Sequence, residues 1–140
     1  MKNKKILFFD QYKDRGGAQF LLVRMINEAI RLKFSCSLIA PMGGNLEDCL
    51  PKDKSFSKYT SFDFNISSGK KSISDFFKIL ILNISLLKNI KEIINHEILY
   101  FNGPRTWLLG VILGLFTKKR CVFHIHLKHS NLEFKLLELI

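Results

Sequence analysis

Residues 4–41 read KKILFFDQYKDRGGAQFLLVRMINEAIRLKFSCSLIAP. The stretch KKILFFD is a compact apolar run bounded by charge, the pattern of a strand buried on both faces, as a parallel sheet requires. From Ala18 onward the apolar positions Ala18, Leu22, Met25, Ala29 and Leu32 recur at helical spacing, while Arg24, Asn27 and Arg31 fall on another face. A helix is therefore expected from about Gly17 to Lys33. SCSLIAP then reads as a second strand, closed by Pro41 and the loop PMGGN. Strand, helix and strand in this order form a βαβ unit, which closes right-handed around a parallel pair.

The same alternation continues. LEDCL reads as a short helix, and KSFSKYTSFDF as a third, weaker strand. The longest helical pattern is SISDFFKILILNISLLKNIKEIINH, with Ser74 as the cap before Asp75. Its apolar stripe, from Phe76 and Phe77 through Leu80, Ile84, Leu87 and Ile90 to Ile94, is very wide, and its polar side (Lys78, Ser85, Lys88, Glu92) is narrow. Such a helix is buried on more than one side, or rests one side on lipid or on a partner. EILYFN is the next strand, GPRTWLLGVILGLF a helix with Pro104 in its first turn, KRCVFHIHL a further strand, and NLEFKLLELI the start of another helix. The expected class is α/β: an open, doubly wound, Rossmann-like parallel sheet in one domain spanning residues 1–140.

Composition narrows the function classes. The chain has 140 residues, 47% of them hydrophobic and 13 of them Phe, which excludes a disordered tail. Its 22 Lys and Arg against 12 Asp and Glu give a formal charge of +10, which favours anionic partners. The lysines are scattered rather than gathered on one element beside aromatics, so nucleic acid is not expected as a partner. An anionic membrane surface or a phosphorylated ligand fits better. Cys36, Cys49 and Cys121 are odd in number and lack a CxxC spacing, which points away from disulfides and zinc and toward a reducing, cytoplasmic setting. ILFF is too short for a signal peptide, and no segment reaches the roughly 20 apolar residues of a membrane span.

In doubly wound sheets ligands collect at the carboxyl ends of the strands. The segments to inspect are Asp10 to Gln19, Pro41 to Asn45, Asn102 to Arg105 and His126 to His129. Gly16 and Gly17 lack the spacing of a dinucleotide fingerprint or a P-loop. They are either a tight turn or a place where backbone approaches a ligand and bare N–H groups at a positive helix end meet it, which would suit a sugar or a diphosphate. His124 and His126 alternate on one face of a strand; His124 reads as structural and His126, at the strand tip, as functional. Arg105 is either a phosphate or carboxylate holder or a solvated first-turn arginine, and Asn102 reads as a helix cap. Gly110 and Gly114 form a GxxxG on a helix too short to span a membrane, so close packing of helix on sheet explains it better than membrane dimerisation.

Taken in order, these segments resemble a known family. ILFFDQYKDRGGAQFLLVRMINEAIRLKFSCSLIAP is similar to the opening βαβ unit of family 4 glycosyltransferases of the GT-B fold, where a GGAE-like loop follows the first strand. EILYFNGPRTWLLGVILGL and CVFHIHL look like the family's next strand–helix pair and its strand ending in histidine. The resemblance implies metal-independent and cofactor-free sugar transfer from a nucleotide-sugar donor to a glycan or lipid-linked acceptor, in surface polysaccharide assembly at the inner face of the cell membrane. It makes Gly16 and Gly17 the loop that reaches the donor's diphosphate and sugar, and His126 the histidine near the transferred sugar; Gln19 in that loop, and Asn102 and Arg105 by their place after a strand, are expected beside them as binding residues. Gln19 departs from the family's usual glutamate. The family's C-terminal donor-binding domain is absent from these residues, so the chain would carry half a site, as a fragment, as one half of a split enzyme with a donor-domain partner, or as a peripheral membrane or partner-binding module without catalysis.

Overall fold

The computed structural model describes residues 4–61, 63 and 73–125. Among the described residues five strands form one sheet: β1 (Lys5–Phe9), β2 (Ser35–Ala40), β3 (Phe56–Thr60), β4 (Ile98–Phe101) and β5 (Arg120–Phe123). Their order is β3-β2-β1-β4-β5 and every neighbouring pair is parallel. The order reverses at β1, so β1 and β4 flank the switch point where a crevice opens in such sheets. The expected fold class is the one observed.

Burial on both faces explains why β1 is apolar from Ile6 to Phe9. Phe8, Leu38 and Tyr100 pack with Leu22, Ile26 and Ala29 on one face. Leu7, Phe9, Ile39, Leu99 and Phe101 pack with Leu86, Ile93, Trp107 and Leu113 on the other. The first cluster lies under helix α1 (Gly17–Arg31) and the second under α2 (Ile73–Leu86), α3 (Ile90–Asn95) and α4 (Trp107–Phe116). Helix α1 stops two residues short of the expected end. Lys33 takes a left-handed φ of 67°, and the Lys33 and Phe34 N–H groups donate to the Ile30 and Ala29 carbonyls, a Schellman ending. The buried face of α1 is Gln19, Leu22, Ile26 and Ala29, whereas Met25 and Leu32 are exposed. The stripe drawn from the apolar residues is thus rotated, because a polar residue, Gln19, is needed inside.

The long helical pattern is interrupted. A 3-10 turn (Leu87–Asn89) separates α2 from α3. Just before it the Ser85 hydroxyl donates to the Leu82 carbonyl, a local bond that competes with the helical ladder. Ser74 lies inside the first turn of α2 rather than capping it. The apolar stripe also faces the wrong way for a core. Asp75, Asn83 and Ser85 are buried while Phe76, Phe77, Ile81 and Ile84 are exposed. The side chain of Asn83 shows why: its amide donates to the Ile79 and Arg105 carbonyls at 2.7 and 2.8 Å, and its oxygen accepts the Leu109 N–H at 3.0 Å. These bonds fasten α2 to the start of α4 and turn its polar edge inward.

Pro104 opens a 3-10 turn (Pro104–Thr106) that leads into α4. On the inner side of α4, Phe9, Phe101 and Phe123 stack across three strands with centroids 4.7 and 5.4 Å apart. A Cβ at Gly110 would collide with the Phe123 ring and stand 2.9 Å from Phe101, so this glycine lets α4 lie against the stack, the packing role expected of it. Gly110→Ala is expected to lower stability by about 1–3 kcal/mol through overpacking, read as a fall in thermal midpoint.

Candidate functional site

The residues just beyond β1 and β4 form one connected polar cluster around a carboxylate. Asp10 follows β1, is fully buried, and continues the strand ladder by donating its N–H to the Ile39 carbonyl. Its Oδ1 accepts the backbone N–H of Gln11 at 2.6 Å and of Tyr12 at 2.8 Å. The Gln19 amide donates to both carboxylate oxygens at 3.2 and 3.3 Å, and the Asn102 amide donates to Oδ2. Burial pushes the Asp10 pKa up from 3.8 to about 6, against the pull of Asn102, Tyr12, Gln19 and Gln11, which favour the ionised form. This one buried side chain therefore links the end of β1 to the start of α1 and the end of β4.

Gln19 works in two directions. While its amide nitrogen serves Asp10, its Oε1 accepts the Gly16 N–H at 3.1 Å, closing the first turn of α1 from within. Gly16 precedes the helix in an extended conformation (φ −118°, ψ −169°), and Gly17 begins it. Neither glycine is among the residues with positive φ, so backbone conformation does not demand either. A Cβ at Gly16 would meet Gln19 Oε1 at 3.1 Å, and one at Gly17 would meet nothing within 4 Å. The first turn of α1 contains no acidic side chain and is bare and exposed at Gly17.

Across from it stands the turn after β4. Asn102 is buried and is committed to Asp10, and the 3-10 turn is led by Gly103, not capped by Asn102 as expected. Gly103 has φ 143° and ψ 154°. Gln11 spans the gap between the two turns: its Oε1 accepts the Arg105 N–H at 3.0 Å. The half-buried Arg105 lays its guanidinium over the Tyr12 ring, 5.0 Å from the centroid. It is thus held by an aromatic face of the β1 loop instead of standing in solvent.

Strand β5 ends at Phe123, earlier than its histidine pattern suggested. The registers Phe9↔Phe101 and Phe101↔Phe123 put Asp10, Asn102 and His124 in the next row of the sheet. His124 bonds through Nδ1 to the Tyr100 hydroxyl, the structural role expected of it. Burial lowers the histidine pKa and raises that of the tyrosine, so at neutral pH a phenol O–H donates to a neutral imidazole. His126 and His129 lie outside the described residues. Five of the six sequence-derived site residues (Gly16, Gly17, Gln19, Asn102 and Arg105) therefore lie on two turns that Asp10 and Gln11 join at the carboxyl ends of β1 and β4. Asp10, Gln11 and Gly103, which join them, carried only one signal: their place directly after a strand.

No protein-family model and no curated protein sequence matches the chain. Solved structures do. HepE of Anabaena, in a complex with UDP and glucose, superposes with a TM-score of 0.59 at 18% identity over 98% of this chain and 35% of its own. HepE with UDP alone gives 0.56 at 20% identity, over 96% of this chain and 34% of that one. A glycosyltransferase from Rickettsia africae gives 0.60 at 18% identity, over 96% and 33%. The fold is one that a known glycosyltransferase contains. The chain spans about a third of the length of each of these structures.

Proposed function

We propose that residues 1–140 are the N-terminal, acceptor-side domain of a GT-B glycosyltransferase of the family 4 type, moving a sugar from a nucleotide-sugar to a glycan or lipid-linked acceptor in surface polysaccharide biosynthesis on the cytoplasmic side. The observation that carries this is the bare, glycine-led first turn of α1 at the carboxyl edge of the sheet, with open space over Gly17. Bare N–H groups at the positive end of a 15-residue helix suit the diphosphate of a donor and the charge that develops on it during transfer. The similarity to HepE seen with UDP and glucose supports this ligand class. Gln19 holds the turn in place from below, and Arg105 adds a cation at its rim. His126 is the remaining polar contact proposed for the transferred sugar. A second domain would supply the other half of the donor site.

Gly17→Val tests the reading, because the valine side chain would occupy the space over the turn without meeting any atom of the folded chain within 4 Å of its Cβ. With the donor-binding domain present, we expect transfer from a UDP-sugar to fall by roughly 100-fold or more, the scale of losing an oxyanion-type donor set. The thermal midpoint should stay close to wild type. His126→Ala should lower transfer as well. Full activity of Gly17→Val would overturn the assignment of this turn as the donor contact.

A further inference from the structure

The outer surface of α2 and α3 is apolar where a water-facing helix is polar. Phe76, Phe77, Ile81 and Ile84 are 50–63% exposed, while Asp75, Asn83 and Ser85 of the same helix are buried. The surface continues over Ile90 and Ile94 of α3, both exposed. Its outermost charges are of one sign: Lys88 and Lys91 are exposed, whereas Glu92 is half-buried, as is Lys78, whose ammonium lies 3.8 Å from the buried Asp75 carboxylate. Exposed apolar residues on α1 have a different setting. There Phe20, Leu21 and Met25 alternate with Asn27 and with the Glu28–Arg31 ion pair, a mixed surface suited to water.

We propose that the outward face of α2 and α3, centred on Phe76, Phe77, Ile81 and Ile84, docks on an anionic lipid surface. Apolar side chains rimmed by lysines match an interface that is apolar below and negatively charged at its headgroups. Charge complementarity selects this occupant. A second copy of the chain would set one lysine-rimmed face against another in a molecule of formal charge +10, whereas an anionic bilayer neutralises the same rim. No described helix is long and apolar enough to cross a membrane, so the contact is peripheral. The Asn83 bonds to Arg105 and Leu109 tie α2 to the turn after β4, so the docking helix is fastened to one of the two turns of the candidate site. The docking proposal stands independently of the transferase reading.

The test is sedimentation of the full chain with vesicles of phosphatidylglycerol and phosphatidylcholine, and with phosphatidylcholine vesicles alone. Binding is expected on the mixed vesicles, weakening with added salt and at least tenfold weaker on the neutral ones. Phe77→Glu should weaken it at least tenfold with an unchanged thermal midpoint, and Lys91→Glu should weaken it about fivefold or more on anionic vesicles, the scale of one juxtamembrane cation. Absence of binding to the mixed vesicles, equal binding to both kinds, or Phe77→Glu binding like wild type would each overturn the proposal. So would two further results: a dimer in solution that Phe77→Glu dissociates would assign the face to a second copy, and a large loss of stability in Phe77→Glu would assign it to the chain's own packing. Gly17→Val leaves vesicle binding unchanged under this proposal, so its failure and that of the transferase reading are separable.

Discussion

Gln19→Glu is expected to destabilise the protein by roughly 3–5 kcal/mol at pH 7.5, the scale of an uncompensated buried charge, and to regain much of that loss near pH 4. The Gln19 amide nitrogen lies 3.2 and 3.3 Å from the two oxygens of Asp10, and both side chains are buried. A glutamate keeps the bond from the Gly16 N–H through one oxygen, but the other then faces the Asp10 carboxylate with no proton between them. One of the two must take a proton or the cluster must open. The sign follows from the wild type. A carboxyl whose folded pKa is raised from 3.8 to about 6 is held without penalty below pH 4, loses stability as pH climbs through that window, and carries the full penalty above it. For Asp10 alone that penalty is roughly 3 kcal/mol, at about 1.36 kcal/mol for each tenfold change in proton affinity. A second carboxylate removes one donor and adds a like charge, so in the variant the loss is larger and extends above pH 6. Denaturant unfolding of wild type, Gln19→Glu and Asp10→Asn at pH 4 and 7.5 measures both effects. Asp10→Asn should flatten the Asp10 part of the slope, since its neutral amide does not titrate. Equal stability of Gln19→Glu and wild type at pH 7.5 would show that residues 10 and 19 are not in contact.

The Gln19 case also shows which parts of the molecule the sequence disclosed. The βαβ opening was legible because Ile6–Phe9 and Ser35–Ala40 are buried on both faces, and a run without alternation reports that condition locally. The α1 face was misplaced by rotation because periodicity assigns every polar residue to water, whereas Gln19 answers to a carboxylate nine positions earlier. Helix α2 failed the same rule more completely: Asn83 is inside because it bonds to residues 105 and 109, a demand that no local pattern contains. Of the site, the loop positions were legible from the rule that ligands gather at the carboxyl ends of parallel strands. The carboxylate that joins them was not, since Asp10 and Asn102 are 92 positions apart and each alone reads as an ordinary residue after a strand.

Gly103→Ala is the second large effect expected, a loss of roughly 1–3 kcal/mol from the backbone alone. At φ 143° and ψ 154° Gly103 occupies a region open in practice only to glycine. An alanine Cβ there would also stand 3.1 Å from Cδ and Nε2 of Gln11. Gln11 has little freedom to withdraw, because its Oε1 holds the Arg105 N–H at 3.0 Å and so ties the β1 loop to the turn after β4. Two effects thus act together, and Gln11→Ala separates them: it removes the contact but leaves the backbone strain. If strain dominates, as the φ and ψ values imply, the double variant recovers less than half of the loss, and the coupling between the two sites stays near the roughly 0.5 kcal/mol that marks independence. Full recovery in the double variant would assign the penalty to the Gln11 contact. The same cycle read on activity distinguishes the roles of the two residues. Loss of the Gln11 link frees the Arg105 turn without altering the N-terminus of α1, so Gln11→Ala should weaken substrate binding more than it slows transfer, whereas Gly17→Val should act on transfer itself.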